Sequence, residues 1–417
     1  MKIIFVSNYI NHHQIPFCEA MIKRIGNENE FYFIQTEEME ADRRDMGWGG
    51  SLPDYVITAY GSYENAEKCR RLIADSEVVI FGGARDDSLL SERLEAIRHD
   101  KRLGKDRLTF RYSERLYREG QWKFVSPRGL IKKYRDHTRY SGCPVYLLCA
   151  GAFVSSDFDL VFSYPGKKLK WGYFTEVKVY DIDSLIEKKG YETADGNKIP
   201  YILWAGRFLK LKRAEYAIRT AGRLKSAGIA FHMDLIGGGE EEEKLKGLVK
   251  ELSLEDRVGF PGFKKPGEVR EYMEKADIFL FTSNRLEGWG AVVNEAMNSG
   301  CAVIAGNMQG AAPSLIRNGV NGYVFRDNEP RDIFKYAEIL IRDEGRRRQM
   351  GKMAYRTMRE IWNPEVAADK LMDFTESYFT GRPEAAERLG GMIIDPPCSL
   401  VKKETERKIA LGALRNG

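Results

Sequence analysis

Short, nearly uninterrupted apolar runs punctuate this chain, and longer stretches with helical periodicity separate them. In the first half, Lys2 to Ser7, Phe31 to Gln35, Val78 to Phe81, Leu108 to Tyr112 and Pro144 to Cys149 are predicted strands. Runs this apolar suit strands covered on both faces, as in a parallel sheet. A helix from Gln14 to about Ile25 follows the first run, and a charged helix extends to Arg102. A second series begins at Pro200, with strand Tyr201 to Ala205, helix Arg213 to Ala227 and strand Phe231 to Ile236. It continues with helix Glu240 to Leu252, a short strand near Arg257 to Phe260, and helix Pro266 to Ala276. From Asp332 the pattern is helical, and Trp362-Asn363-Pro364 breaks it before an amphipathic helix, Val366 to Tyr378. Alternation of strands and helices predicts an α/β fold built on parallel sheets. Residues 1–177 read as one domain, 178–199 as a polar linker and 200–361 as a second domain. Residues 362–380 hold the late helix, and 381–417 form a tail in which Val401 to Leu414 has a basic amphipathic pattern. Asp42 to Leu52, with Trp48 and three glycines, reads as an irregular loop.

The most informative stretch runs from Asp277 to Gly306. An apolar strand, Ile278 to Phe281, leads into a polar loop, Ser283 to Gly290. A helical pattern from Ala291 to Ser299 follows, then a C-cap glycine, Gly300, and a buried strand, Cys301 to Ala305. Gly288 and Gly290 allow backbone to approach a ligand without a Cβ in the way. The amides of Gly290, Ala291 and Val292 would face an anion at the helix start. Glu287 in the loop and Glu295 on the helix then need partners other than anions, and sugar hydroxyls suit them. Gly206-Arg207 leaves the first strand of the second series, and Lys212 lies five residues beyond Arg207. Two cations beside helix amides are what a departing diphosphate needs as negative charge builds on oxygen. Gly237-Gly238-Gly239 after the next strand permits a sharp reversal and also a close ligand approach.

Composition narrows the class. At 417 residues, 43% hydrophobic and 30% charged, the chain reads as a soluble protein of two domains. Its six scattered cysteines include no C-x-x-C pair, which suits reduced core thiols of a cytoplasmic protein. The net charge of +5 is uneven, with 16 Lys/Arg against 9 Asp/Glu between Arg85 and Tyr140. That surplus is either a solvated face or a surface for an anionic partner. Trp122, Phe124 and Tyr134 among the cations favour a lipid-linked acceptor and peripheral contact at the inner face of the cell membrane. No motif for nucleic acid accompanies the charge.

Taken together, GRFLKLK (206–212), LIGGGEE (235–241), RVGFPGF (257–263), residues 276–305 and GAAPSLIRNGVNGYVF (310–325) resemble glycosyltransferase family 4. The resemblance implies a retaining enzyme of the GT-B fold: two Rossmann-like parallel-sheet domains facing a central cleft, the last helix crossing back to the first domain. It implies that Arg207 and Lys212 bind the donor diphosphate, that Glu287 holds donor-sugar hydroxyls and that Glu295 holds the nucleotide ribose. Phe263 and Lys264 would border the base. Gly206, Gly237, Gly288, Gly290, Ala291 and Val292 complete the expected donor side. In the first half Asn8, His12 and His13 stand in the loop after the first strand, where the family often has glycines. Arg111 and Glu114 stand where many members carry a histidine. These five are the candidate acceptor side.

Asp157-Phe158-Asp159 and Asp181-Ile182-Asp183 both spell D-x-D, a metal-diphosphate motif in another transferase fold. Both read as surface residues here, and no metal or other cofactor is expected beyond the nucleotide diphosphate sugar itself. The expected partners are that donor and a saccharide or lipid-linked saccharide acceptor. Rival readings are a nucleotide-sugar epimerase, a non-catalytic nucleotide-sugar-binding protein, and a nucleic-acid binder using the basic stretch.

Overall fold

The structure is a computed structural model that describes residues 1–41, 50–83, 88–327 and 329–401. The loop expected at 42–52 lies largely outside the described residues, as does nearly all of the expected helix from Val401. The chain forms two compact units. One holds Met1–Thr175, Asn363–Gly390 and the described residues from Asp395 onward; the other holds Glu176–Trp362 and Gly391–Ile394.

The first unit is built on a seven-stranded parallel sheet. Its strands are β1 (Lys2–Ser7), β2 (Glu30–Gln35), β3 (Val56–Thr58), β4 (Val78–Phe81), β5 (Leu108–Ser113), β6 (Val145–Ala150) and β7 (Lys168–Trp171). They lie in the order β3-β2-β1-β4-β5-β6-β7. Every residue of β4 and β6 is buried, as expected of strands covered on both faces. The sequence pattern missed β3, a three-residue edge strand, and β7, whose alternating lysines hide its buried apolar side. The helix Pro364–Phe379 belongs to this unit. Its Phe374 ring lies 4.7 Å from that of Tyr146 and 5.9 Å from that of Phe110. Arg24 of the helix Ile15–Ile25 pairs with its Asp369, Asp373 and Glu376.

The second unit has a six-stranded parallel sheet and a small antiparallel hairpin, β8 (Tyr191–Glu192) with β9 (Lys198–Ile199). The sheet strands are β10 (Tyr201–Ala205), β11 (His232–Ile236), β12 (Val258–Gly262), β13 (Ile278–Phe281), β14 (Ala302–Gly306) and β15 (Tyr323–Phe325). Their order is β12-β11-β10-β13-β14-β15. Residues 178–199 are not the linker expected from their polarity. They include a helix, Ile182–Lys188, and are fixed to this unit by buried polar groups. The ammonium of Lys189 donates to the carbonyls of Met273, Glu274 and Ala276. Asn298 exchanges two hydrogen bonds with the backbone of Lys178. A polar segment can thus be interior when main-chain carbonyls satisfy it.

Asp157 corrects another expectation. It is fully buried and accepts from the Arg115 guanidinium, the Tyr117 amide and the Gln121 amide nitrogen. Its role is to tie residues 115–121 to the unit. Asp159 pairs with Lys168, Asp181 caps the helix Ile182–Lys188 and Asp183 pairs with Lys352. All six cysteines are buried. Among the described residues no helix is long and apolar enough to cross a membrane.

Candidate functional site

In the second unit the chain runs from β10 outward through β11 and β12, then returns to β13 on the other side of β10. The loops leaving β10 and β13 therefore diverge at the carboxyl edge, the crevice where open α/β sheets take ligands. Lys212 stands on the first loop and Glu287 on the second. The Lys212 ammonium lies 2.5 Å from a Glu287 carboxylate oxygen, and the two side chains are 18% and 16% exposed.

A chain of hydrogen bonds sets that meeting. The indole N–H of Trp204, in β10, donates to the Thr282 hydroxyl at 2.8 Å. That hydroxyl donates onward to the carbonyl of Lys212 at 2.7 Å, and the Asn284 amide donates to the carbonyl of Leu211 at 2.9 Å. The first loop is anchored on its other side by Phe208, buried with its ring 5.6 Å from Trp204. The Phe208 amide donates to the carbonyl of Gly238. Arg213 ends the loop at φ 49°, a left-handed conformation unusual for a non-glycine residue, and its guanidinium pairs with Asp327 at 2.8 Å.

The second loop is equally fixed. The amides of Gly310 and Ala311 donate to the carbonyls of Gly288 and Trp289. The Trp289 indole is buried, donates to Asn294 at 2.9 Å and stacks on Trp362. Gly290 has φ 91°, and a Cβ there would stand 2.5 Å from Cζ of Phe281. Glycine is required on both counts. The following helix is shorter than its sequence pattern, Val292–Asn298. Its first bonds run from the Val293 amide to Gly290 and from the Asn294 amide to Ala291, so the ladder makes no use of the amides of Gly290, Ala291 and Val292. Glu295, on this helix, has its carboxyl pushed up to about 7 by burial, with Arg270 opposing and Glu176 adding to the rise.

Other expected donor residues fall out differently. Arg207 is exposed, and its guanidinium has no hydrogen-bond or ion-pair partner among the described residues. Phe263 is exposed and Lys264 half-buried, just beyond β12. Gly237 does not open space for a ligand: its Cβ would lie 1.9 Å from the carbonyl oxygen of Gly206. The glycine is there because the two loops' backbones touch, and Gly206 serves as the other half of that contact. Sequence reasoning missed Thr282, Asn284 and Gln309, whose buried amide donates to the carbonyl of Ser283. Polar residues just after an apolar strand were the available signal.

In the first unit the same kind of divergence occurs between β1 and β4. Asn8 sits there, its amide donating to the carbonyl of Gly83 and its carbonyl accepting from the Glu37 amide. His12 and His13 follow, their ring centroids 3.8 Å apart, and Asn11 accepts from the amide of His13. Arg111 and Glu114 do not join them as free acceptor-side groups. Arg111 is buried and donates to the carbonyl of Asp136, while Glu114 pairs with Arg118 and accepts from the Tyr173 hydroxyl at 2.8 Å. His13 lines a cavity of about 60 Å³ together with Gln14, Tyr112, Trp171 and Tyr173. The contribution of Trp171 to that lining was invisible because β7 was not read as a strand.

Residues 187–357 match the model of Glycosyl transferases group 1. The chain is 33% identical over 146 residues to the amylovoran biosynthesis glycosyltransferase AmsK of Erwinia amylovora, covering 34% of this chain and 35% of that one. It is 30% identical over 205 residues to N-acetyl-alpha-D-glucosaminyl L-malate synthase of Bacillus anthracis, covering 48% and 51%. The chain spans only about a third to a half of the length of such curated relatives. In fold it is similar to Anabaena HepE, solved in complex with UDP, with a TM-score of 0.65 at 16% identity over 90% of this chain and all of that one. The two-sheet α/β architecture is that of the GT-B class. The motifs quoted above from 206 to 325 all fall inside the segment that matches the model of Glycosyl transferases group 1.

Proposed function

We propose that the chain is a retaining glycosyltransferase that moves a sugar from a nucleotide diphosphate sugar to an acceptor hydroxyl in polysaccharide synthesis. The observation that carries this reading is the Lys212–Glu287 pair, held by fixed loops at the point where the strand order reverses. Without ligand the two charges neutralise each other. A donor would separate their duties: its diphosphate takes Lys212, and sugar hydroxyls take both oxygens of Glu287. The amides of Gly290, Ala291 and Val292 and the guanidinium of Arg207 add donors for the departing phosphate, while Glu295 receives the ribose and Phe263 with Lys264 the base. As the anomeric C–O bond breaks, its electron pair passes to the diphosphate oxygen, which accepts the acceptor's proton as the new C–O bond forms on the same face. Lys212 and Arg207 supply the countercharge, so the reaction needs no metal ion.

Relatives named for polysaccharide assembly and a neighbour solved with UDP support the class of donor and product. The acceptor is a saccharide or lipid-linked saccharide, and a lipid-linked one would be met at the inner face of the cell membrane. The test is a panel of nucleotide sugars screened for thermal stabilisation, followed by product analysis with and without acceptor, in chelator. Donor binding with transfer and retained anomeric configuration is the expected result. Conversion of the donor without acceptor would make the protein an epimerase. Binding with neither transfer nor hydrolysis would make it a non-catalytic sensor.

A further inference from the structure

The helix Pro127–Asp136 in the first unit is inverted. Its half-buried positions are Gly129, Lys133 and Asp136, whereas Leu130, Ile131 and Tyr134, spaced as one helical stripe, face solvent. Ile131 is 69% and Tyr134 61% exposed, and none of the ten residues is buried. The turn before it, Gln121–Val125, adds Trp122 at 70% and Val125 at 60% exposure. A helix normally turns such a stripe inward; five large apolar side chains on one short exposed segment form a docking face.

The segment is held in place. Ser126 caps the helix by accepting from the Gly129 amide, and Pro127 occupies its first turn. At the other end the buried Arg111 donates to the carbonyl of Asp136. Cations flank the apolar stripe. Residues 121–136 carry Lys123, Arg128, Lys132, Lys133 and Arg135 against a single acid, Asp136. Arg128 and Lys132, one turn apart, are exposed and have no ion-pair or hydrogen-bond partner among the described residues.

We propose that this face docks on a bilayer carrying anionic lipid, with Trp122, Val125, Ile131 and Tyr134 entering the headgroup boundary and Arg128 and Lys132 meeting lipid phosphates. A tryptophan and a tyrosine at the rim, an aliphatic stripe and unpaired cations beside it are the pattern of a helix lying in a membrane interface. An apolar protein partner would leave the two cations unmatched, whereas an anionic surface satisfies both halves of the face. The inference extends the lipid-linked acceptor of the proposed function but is independent of its chemistry.

The experiment is co-sedimentation of the full chain with vesicles of phosphatidylcholine alone and of phosphatidylcholine with about 30% phosphatidylglycerol. Binding is expected only to the second. Ile131→Ser with Tyr134→Ser should lower partitioning by at least about tenfold, since each removes an inserting apolar group. Arg128→Gln and Lys132→Gln should each lower it by about fivefold. All four positions are exposed, so the thermal midpoint should not move. Equal sedimentation with both vesicles, none with either, or no loss in the serine variant would overturn the proposal, as would a dimer in solution that the serine variant abolishes. Transfer of sugar to a soluble acceptor, measured without vesicles, reads the enzymatic proposal separately.

Discussion

Replacing Gly290 with alanine tests whether the loop before the helix Val292–Asn298 is set by backbone geometry. At φ 91° an L-residue costs about 1–2 kcal/mol. The new Cβ would also lie 2.5 Å from Cζ of Phe281, a ring buried at 3% exposure in β13 that cannot swing aside freely. Overpacking of this sort costs about 1–3 kcal/mol. The two terms give a loss of about 2–5 kcal/mol, or roughly 5–15 °C in the midpoint of a unit of this size. Tryptophan fluorescence during denaturant unfolding follows the change, because Trp289 is buried against Trp362 in the same unit. Gly247→Ala is the matched control: it lies inside the helix Glu242–Glu251 with open space around its Cα. It should stabilise by about 0.5–1 kcal/mol. Adding Phe281→Leu to Gly290→Ala should recover part of the steric loss. Gly290→Ala with an unchanged midpoint, or the two glycine variants moving together, would refute the geometric account.

Other expectations concern the site and its supports. Lys212→Ala should depress transfer by at least about a hundredfold with little change in thermal midpoint; a near-normal rate would remove Lys212 from the mechanism. Thr282→Val leaves the Trp204 indole without its acceptor and frees the Lys212 backbone, costing about 1–3 kcal/mol and lowering kcat, as steady-state kinetics and thermal melts would show. Burial raises the Glu295 carboxyl to about 7, so the folded state holds its proton more tightly than the unfolded one. The resulting stability is complete below the ordinary carboxylate range and drains away as pH rises towards about 7. Glu295→Gln should therefore raise the melting point at about pH 8 and leave it unchanged at about pH 4. Asp157→Ala strands the buried Arg115 cation and should cost about 3–5 kcal/mol in a urea titration.

What the sequence disclosed and what it hid divide along a physical line. Buried strands such as β4, β10 and β13 declared themselves because apolar burial on both faces leaves an unbroken hydrophobic run. Loops rich in glycine and charge after such runs marked Lys212 and Glu287. Failures came where polar side chains are interior. Lys189 and Asn298 fix segment 178–199 through main-chain groups that no residue pattern reveals, and Asp157 looked like a surface acid because its donors come from 115–121. Edge strands also escaped: β3 is too short and half-buried to show a rhythm. The reason for Gly237 was legible only in three dimensions, because the atom that forbids a side chain belongs to Gly206.

The order of strands in the second unit has one more consequence. Lys212 and Glu287 are 75 positions apart, yet the chain between them makes a closed excursion, out through β11 and β12 and back beside its starting point. Phe263 and Lys264 lie on that excursion, whereas the charged pair lies on its two flanks. Gly237 and Gly238 lie on it too and brace the loop that carries Lys212, so a change anywhere along the excursion reaches the charged pair through Gly206 and Phe208.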